Sequence, residues 1–328
     1  MLWVVLSLSL FTAGSVLAQQ STGLASQPMV DPLDGTPFEV SVVSSVNSHG
    51  GFDSDGCSYS TGLQPRAFSV ATSPTSLYSA RLKEWGVGIT EANKANILRT
   101  LVSLGAEVER VAELNPSERY ELAATVSELV GQDRFHVGDL FLHGAWTIRD
   151  TIVGFFPSVS GTGDAWAKLS ELVLLSKSVT HPRGRTIALF DMARLAHRGG
   201  FVHERDALLA QLDNFEDAGM GAQAKRTEFF LRVREEERLL RRARERYLEG
   251  LEQKERRGSE RVMYRFLAAE LARRVGDLDV AERELSALAL DKAIPKDVKG
   301  LVSDVASVLK VQARSAERAV TKLKGEKQ

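Results

Sequence analysis

The chain has 328 residues, of which 43% are hydrophobic, and it carries a formal net charge of -1. This length suits two domains, or one domain with a repeat array, and the hydrophobic content supports a folded core rather than general disorder. The balanced charge argues against nucleic-acid and membrane-surface binding, because both need an excess of Lys and Arg.

The first 18 residues are typical of a secretory signal peptide. Residues 2–10 are an unbroken run of apolar residues and serines, and the small Ala18 follows Val16 by two positions. The sequence therefore predicts cleavage near Ala18 and an exported, periplasmic protein with no membrane span after cleavage. No Lys or Arg stands near the start, so retention of the segment as an anchor stays open, although a span needs about 20 apolar residues.

Residues 19–30 are rich in Gln, Ser, Thr and Gly, which predicts a flexible linker. Two short pieces built alike follow at 31–35 and 73–78. Cysteine at four of their positions would give Cys-Pro-x-Cys twice, the two knuckles of a four-thiolate zinc ribbon. Those positions are Asp31, Asp34, Ser73 and Ser76.

The chain has no cysteine at any of the four positions, and serine is a poor zinc ligand. Residues 31–88 are therefore predicted to form a small, metal-free, degenerate zinc-ribbon-like β module, with strands at 38–43 and 67–71. A hard-cation site that uses Asp31 and Asp34 is a rarer alternative.

A glycine- and aspartate-rich loop at 47–59 lies between those strands and holds a second group of candidate residues. Its Asp-Ser-Asp-Gly segment is similar to the start of a calcium loop but lacks the later ligands, so aspartates that cap backbone amides are the alternative. Cys57 is the only cysteine, so it is either an inert thiol or a handle for another chain. The candidate loop residues are His49, Asp53, Asp55 and Cys57.

Residues 89–328 carry helical patterns and predict an α-helical domain, so the fold class is α+β and mainly α. Asn115 before proline and glutamate predicts a capped helix start, and Asp164 predicts another cap. Alanine-rich helix ends at Gly131, Gly200 and Gly276 resemble one another, and residues 262–295 approach the spacing of a tetratricopeptide repeat. A repeat array and an ordinary helical bundle both stay open.

The sequence contains no phosphate-binding glycine loop, nucleophile elbow, zinc-protease helix or dinucleotide fingerprint. It therefore predicts a non-enzymatic interaction or scaffold protein that binds another protein or peptide and needs no cofactor. The alternative is a cation-binding or hydrolytic site around Asp53 and Asp55, with His49.

The two knuckle-like pieces and the acidic loop together resemble a bacterial family known as domain of unknown function 2225. The resemblance covers residues 31–82 by motif, and it implies paired knuckles, an intervening acidic loop and a repeat-like helical region. This chain departs from the family at all four metal-ligand positions. The resemblance brings no catalytic residues with it.

Overall fold

The computed structural model describes residues 23–105, 114–154, 158–212, 219–253, 258–291 and 294–325, so the predicted signal peptide lies outside the described residues. The described part is mainly helical. Its strands are β1 (Gly23–Val30), β2 (Pro37–Ser45), β3 (Gly51–Phe52), β4 (Val70–Thr72), β5 (Ser79–Arg81) and β6 (Val159–Ser160). Its helices are α1 (Glu91–Gly105), α2 (Pro116–Leu129), α3 (Arg134–Val153), α4 (Gly161–Ser176), α5 (Pro182–Gly199), α6 (Val202–Gln211), α7 (Gly219–Gln253), α8 (Gly258–Arg274), α9 (Leu278–Leu290) and α10 (Lys296–Gly325). Within these ranges, no helix is both long and apolar enough to cross a membrane.

The segment predicted as a linker at 19–30 is a strand from Gly23 onward, so that prediction is wrong for the described residues. Strand β1 pairs antiparallel with β2, with Met29 opposite Phe38. The tight loop between the strands places Gly35 at a φ of 80° and closes with a 2.9 Å hydrogen bond from the Asp31 N–H to the Thr36 carbonyl. Composition suggested flexibility, but the cross-strand hydrogen bonds hold the polar residues in a hairpin.

Strands β4 and β5 form a second antiparallel hairpin, with Ala71 opposite Ala80. The strand predicted at 67–71 is wrong in its first half, because Pro65–Phe68 is a single turn of 3-10 helix. Proline favours such a turn at its first position, where its missing N–H costs no hydrogen bond. The strand itself begins only at Val70.

The acidic loop joins the β hairpins to the helical part of the chain. Strand β3 pairs in parallel with β6, so Gly51 lies opposite Val159. A Cβ on Gly51 would lie 2.0 Å from the Val159 carbonyl oxygen, so only glycine fits this contact. The predicted module and helical region therefore share a sheet contact as well as a core.

The three predicted alanine-rich helix ends are confirmed, and they share one geometry. Gly131, Gly200 and Gly276 follow α2, α5 and α8 with φ values of 76°, 71° and 87°. In each case the residue after the glycine donates to the carbonyl five positions earlier, as in a Schellman motif. These bonds run from Gln132 to Ser127, from Phe201 to Ala196 and from Asp277 to Ala272.

Of the two predicted helix caps, the one at Asn115 is confirmed and the one at Asp164 is wrong. The capping box at Asn115 is confirmed, since its side chain accepts from the Glu118 N–H at 3.1 Å and Glu118 Oε2 accepts from the Asn115 N–H at 2.7 Å. Asp164 is not a cap, because α4 already begins at Gly161 and Asp164 accepts from the Ser160 N–H at 2.9 Å. Pro182 begins α5, at the first helical position, where the missing N–H of proline costs no hydrogen bond.

Helix α3 packs on α2 and α7 at the centre of the main hydrophobic core. Helices α8, α9 and α10 enclose a second core, and the α8–α9 hairpin occupies the stretch with repeat-like spacing. A third cluster joins the knuckle loops to α1 and α2 through Leu33, Tyr78, Ile97, Leu101 and Val126.

Candidate functional site

The two knuckle-like loops meet around the carboxylate of Asp31. This residue is 1% exposed, and its Oδ2 accepts hydrogen bonds from the hydroxyls of Ser73, Ser76 and Thr75, at 2.5 Å from Ser76 and 3.2 Å from Thr75. Its Oδ1 accepts from the Leu33 N–H at 2.6 Å. The carboxylate is therefore satisfied by protein donors in a buried setting.

Three of the four positions singled out in the sequence therefore come together, and Asp34 does not join them through its side chain. The Asp34 carboxylate faces solvent and accepts from the Thr36 N–H at 2.8 Å, a bond that lowers the pKa of Asp34. Only its backbone N–H approaches Asp31 Oδ1, at 3.4 Å. A cation site that uses both aspartate side chains does not match this arrangement.

The aspartates of the acidic loop are buried against arginines. Arg149 of α3 donates to both carboxylates, at 3.1 Å to Asp53 Oδ2 and 3.1 Å to Asp55 Oδ1. Arg198 of α5 donates to Asp53 Oδ1 at 2.9 Å, and Arg274 of α8 lies 3.3 Å from Asp55 Oδ2. Burial opposes the ionisation of Asp55, but Arg149 and Arg274 outweigh it and hold its pKa far below the usual range.

These contacts belong to a larger buried network whose charges cancel. Each member is at most 4% exposed, and four carboxylates face four guanidiniums. The carboxylates are Asp53, Asp55, Glu236 and Glu270, and the guanidiniums are Arg149, Arg198, Arg273 and Arg274. Balanced charges and directed hydrogen bonds offset the cost of removing these groups from water.

The candidate loop residues therefore separate into different settings. Asp53 and Asp55 lie inside the network, Cys57 is fully buried and His49 is exposed at the edge of a cleft. Across the ranges that the structure describes, no three His, Cys, Asp or Glu side chains are grouped as a metal ion requires. The guanidiniums occupy the positions that a cation bound to these aspartates would need.

Cys57 is held in its protonated form. The thiol is 0% exposed, and Arg66 Nη1 donates to its sulfur at 3.1 Å. Burial dominates and raises the pKa of Cys57 to about 12. An inert thiol was one of the two sequence-based alternatives, and this geometry favours it over a handle for another chain.

Sequence reasoning missed the arginines that complete the network. Arg198 and Arg274 stand at two of the alanine-rich helix ends, each two positions before the glycine, Gly200 or Gly276, that was predicted to end the helix. Charged residues among alanines that pack closely were a usable signal, because a charge at a close helix contact needs a partner. That signal does not identify the partner, because Asp53 and Asp55 lie about 140 residues or more before these two arginines in the chain.

His197 extends the network without adding charge. Its Nε2 lies 2.6 Å from Glu236 Oε2, and Arg205 Nη1 lies 3.3 Å from its Nδ1. Arginine can only donate, so Nδ1 accepts and the ring proton sits on Nε2. Burial, only partly opposed by Glu236, lowers the pKa of His197 and agrees with a neutral ring.

An open cleft of about 910 Å³ lies between the β hairpins and helices α2 and α3. Basic, aromatic and hydroxyl side chains line it, and none of the described lining residues is Asp or Glu. Its basic and ring-bearing residues are His49, Arg66, Arg81, Lys83, Tyr120, His143 and Trp146. This composition suits a ligand with an anionic group and an apolar or planar part.

One wall of the cleft is an arginine–histidine–tryptophan contact. Arg81 Nη2 lies 3.1 Å from His143 Nδ1, and the His143 ring lies 4.6 Å from the Trp146 ring. Burial, helped by nearby Arg81, lowers the pKa of His143 to about 3, so this ring is neutral at physiological pH. Because Arg81 donates to Nδ1, the ring proton is on Nε2.

No family model, no curated protein and no solved structure matches this chain. The function therefore has to be argued from the side chains and their geometry.

Proposed function

We propose that this chain is a non-enzymatic, exported interaction or scaffold protein, and that the cleft between the β hairpins and α2–α3 is its recognition site for a segment of another protein. The single observation that carries the proposal is this cleft of about 910 Å³, with its basic and aromatic wall. Such a volume lies in the range of sites that enclose a ligand of several groups.

The protonation states of His143, which lines the cleft, and of Cys57 favour binding over catalysis. A general acid or base works best with a pKa near the working pH, and a thiol nucleophile must be a thiolate. Here the pKa of His143 is lowered to about 3 and that of Cys57 is raised to about 12. Asp55 is ionised but bound by Arg149 and Arg274.

The contact between the knuckle loops supports the proposed likeness to a degenerate zinc ribbon. In a zinc ribbon, two hairpin loops present ligands to one metal ion. Here the loop of one hairpin presents hydroxyls to a buried carboxylate in the loop of the other, with Ser76 at 2.5 Å from Asp31. We infer that hydrogen bonds, packing and the arginine network replace the metal, and that the resemblance to the domain of unknown function 2225 family has this origin.

The helical region gives limited support to the repeat part of the proposal. Helices α8 and α9 form a hairpin around the Gly276 turn and bury Phe266, Ala281 and Leu285 together. A tetratricopeptide unit is a helical hairpin of this kind. The proposed role of the α8–α10 region is to support the acidic loop through Glu270 and Arg274.

The experiment is a selection of displayed random peptides on the purified, immobilised protein. Ser48→Trp places a large ring on an exposed residue of the cleft wall, and Leu290→Trp, at a site 83% exposed on α9, is the matched control. We expect the selected peptides to bind the wild type and the control alike and to lose at least about tenfold in affinity on Ser48→Trp. Absence of enrichment, or equal binding by Ser48→Trp, contradicts the proposal.

A further inference from the structure

We propose that the cleft selects a partner segment that carries aspartate or glutamate side chains, with Arg81 as the principal anchor. This inference rests on the proposed function and specifies the chemistry of the partner. Arginine binds carboxylates through paired N–H donors, which gives both affinity and orientation.

Charge at the cleft is unbalanced in favour of cations. Arg66 does not contribute to the excess, because Asp150 takes its guanidinium at 2.7 Å and 3.0 Å. Arg81 and Lys83 share one carboxylate, Glu84, at 3.8 Å and 4.0 Å. Among the described residues, these two cations thus share one carboxylate within 4.0 Å, and none of the residues that line the cleft is acidic.

Arg81 has unused hydrogen-bonding capacity. Its side chain is 14% exposed, and among the described residues one hydrogen bond is formed by its guanidinium, to His143 Nδ1 at 3.1 Å. Its 3.8 Å separation from Glu84 is too long for a hydrogen bond. Arg66, 10% exposed in the same wall, uses its guanidinium on a carboxylate, a thiol, a carbonyl and an amide oxygen.

The surroundings of Arg81 favour a carboxylate that is part of a larger ligand. The His143 ring, with its proton on Nε2, and the hydroxyl of Ser58 line the same cleft as possible donors. The Trp146 and Tyr120 rings supply apolar surface beside them. Partial burial strengthens an arginine–carboxylate contact relative to water, whereas a small free anion would leave most of about 910 Å³ unfilled.

The test measures binding of two labelled peptides to the whole protein by fluorescence anisotropy. The probe alternates glutamate and tryptophan, and its control replaces every glutamate with glutamine. We expect only the glutamate peptide to bind, and 0.5 M salt to weaken it several-fold because the rim of the cleft is open to solvent.

Three variants assign the effect to Arg81. Arg81→Gln should weaken the glutamate peptide by about tenfold or more, the loss typical of one charge-assisted contact. Lys83, whose side chain is 78% exposed, should give a smaller loss of about two- to threefold as Lys83→Gln. Lys177→Gln, an exposed lysine at the end of α4, should change nothing. Circular dichroism checks that Arg81→Gln is folded. Arg81→Lys, which keeps the charge, should bind the glutamate peptide more tightly than Arg81→Gln does.

Several results would overturn the inference. They are equal binding of the glutamine peptide, unchanged affinity in Arg81→Gln, and full displacement of the peptide by millimolar inorganic phosphate, which would identify a free-anion site. Failure here is distinguishable from failure of the proposed function. If the peptide selection yields neutral or basic sequences that Ser48→Trp still blocks, the recognition site stands and its acidic specificity falls.

Discussion

The hydroxyl of Ser76 donates a 2.5 Å hydrogen bond to Oδ2 of Asp31, a residue 45 positions earlier in the chain. The bond joins the loop of one β hairpin to the loop of another, and both residues are buried. A carboxylate that accepts from three hydroxyls and a backbone N–H ties the two loops together as a shared ion would.

Asp31→Ala should therefore destabilise the protein by about 2–3 kcal/mol, because it leaves buried hydroxyls and an N–H without their acceptor. The measurement is the free energy of unfolding in urea. Asp34→Ala is the matched control in the same loop, and it should cost clearly less because its carboxylate is exposed. Equal losses in the two variants would show that the loop, and not the contact between loops, depends on aspartate.

Replacing all four knuckle positions with cysteine should create a zinc site. The variant is Asp31→Cys, Asp34→Cys, Ser73→Cys and Ser76→Cys, prepared under reducing conditions to prevent disulfides. Opposed hairpin loops can present four thiolates to one ion once the side chain at position 34, which faces solvent in the wild type, turns inward, so we expect one zinc per chain by elemental analysis. The control carries only the Asp31 and Asp34 changes and should bind zinc far more weakly. A quadruple variant that folds but binds no zinc would contradict the proposed likeness to a zinc ribbon.

The isolated segment 19–84 should be unfolded. Cut from the helices, Asp53 and Asp55 lose Arg149, Arg198 and Arg274, and the knuckle loops lose their packing on α1 and α2. Far-UV circular dichroism and a thermal scan check this, and a cooperative transition would contradict it. The same fragment with the four cysteines should fold when zinc is added, since a structural zinc site contributes on the order of 10–16 kcal/mol.

The parts of the fold that the sequence predicted are those set by local chemistry. The capping box at Asn115 and the glycine turn at Gly276 depend on neighbouring residues, and both were recognisable. Strand β1 was missed because its order comes from pairing with β2 and not from its own composition.

The candidate site shows the same division. Asp53 and Asp55 were singled out, and the partners considered for them were a cation or backbone amides. Asp55 Oδ1 does accept from the Cys57 N–H at 3.3 Å, but the arginine partners were not predicted. Their partners Arg149, Arg198 and Arg274 lie on three different helices, so only the tertiary fold brings them together. The cleft, formed between hairpins and helices, has no signature in any single stretch.

Arg149 should be the most sensitive charge in the core. It is 0% exposed and lies 2.8–3.1 Å from Asp53, Asp55 and Glu236, so Arg149→Met leaves three buried carboxylates short of a partner. We expect a loss of about 3–5 kcal/mol in the free energy of unfolding. Arg232→Met, which removes a half-exposed partner of Glu228, should cost less than about 1 kcal/mol.

A double variant separates lost pairing from lost packing at Arg149. Adding Glu236→Gln to Arg149→Met removes one of the stranded charges, so the double variant should be more stable than the sum of the two single losses predicts. Additive losses would show that Arg149 acts through its packing and not through its charge.

Acid should weaken the protein through this same network. Burial opposes ionisation of Glu236, but Arg149 and His197 lower its pKa from 4.5 to about 2. A carboxyl whose pKa is lower in the folded state contributes stability that is complete above its unfolded pKa and is lost as pH falls through the folded one. The free energy of unfolding should therefore fall steeply between about pH 4.5 and 2.

Glu236→Gln should flatten the slope of this fall with pH, whereas Glu282→Gln, on the exposed face of α9, should leave it unchanged. An equal slope in wild type and Glu236→Gln, measured by urea titrations across this range, would show that Glu236 is not held ionised by Arg149.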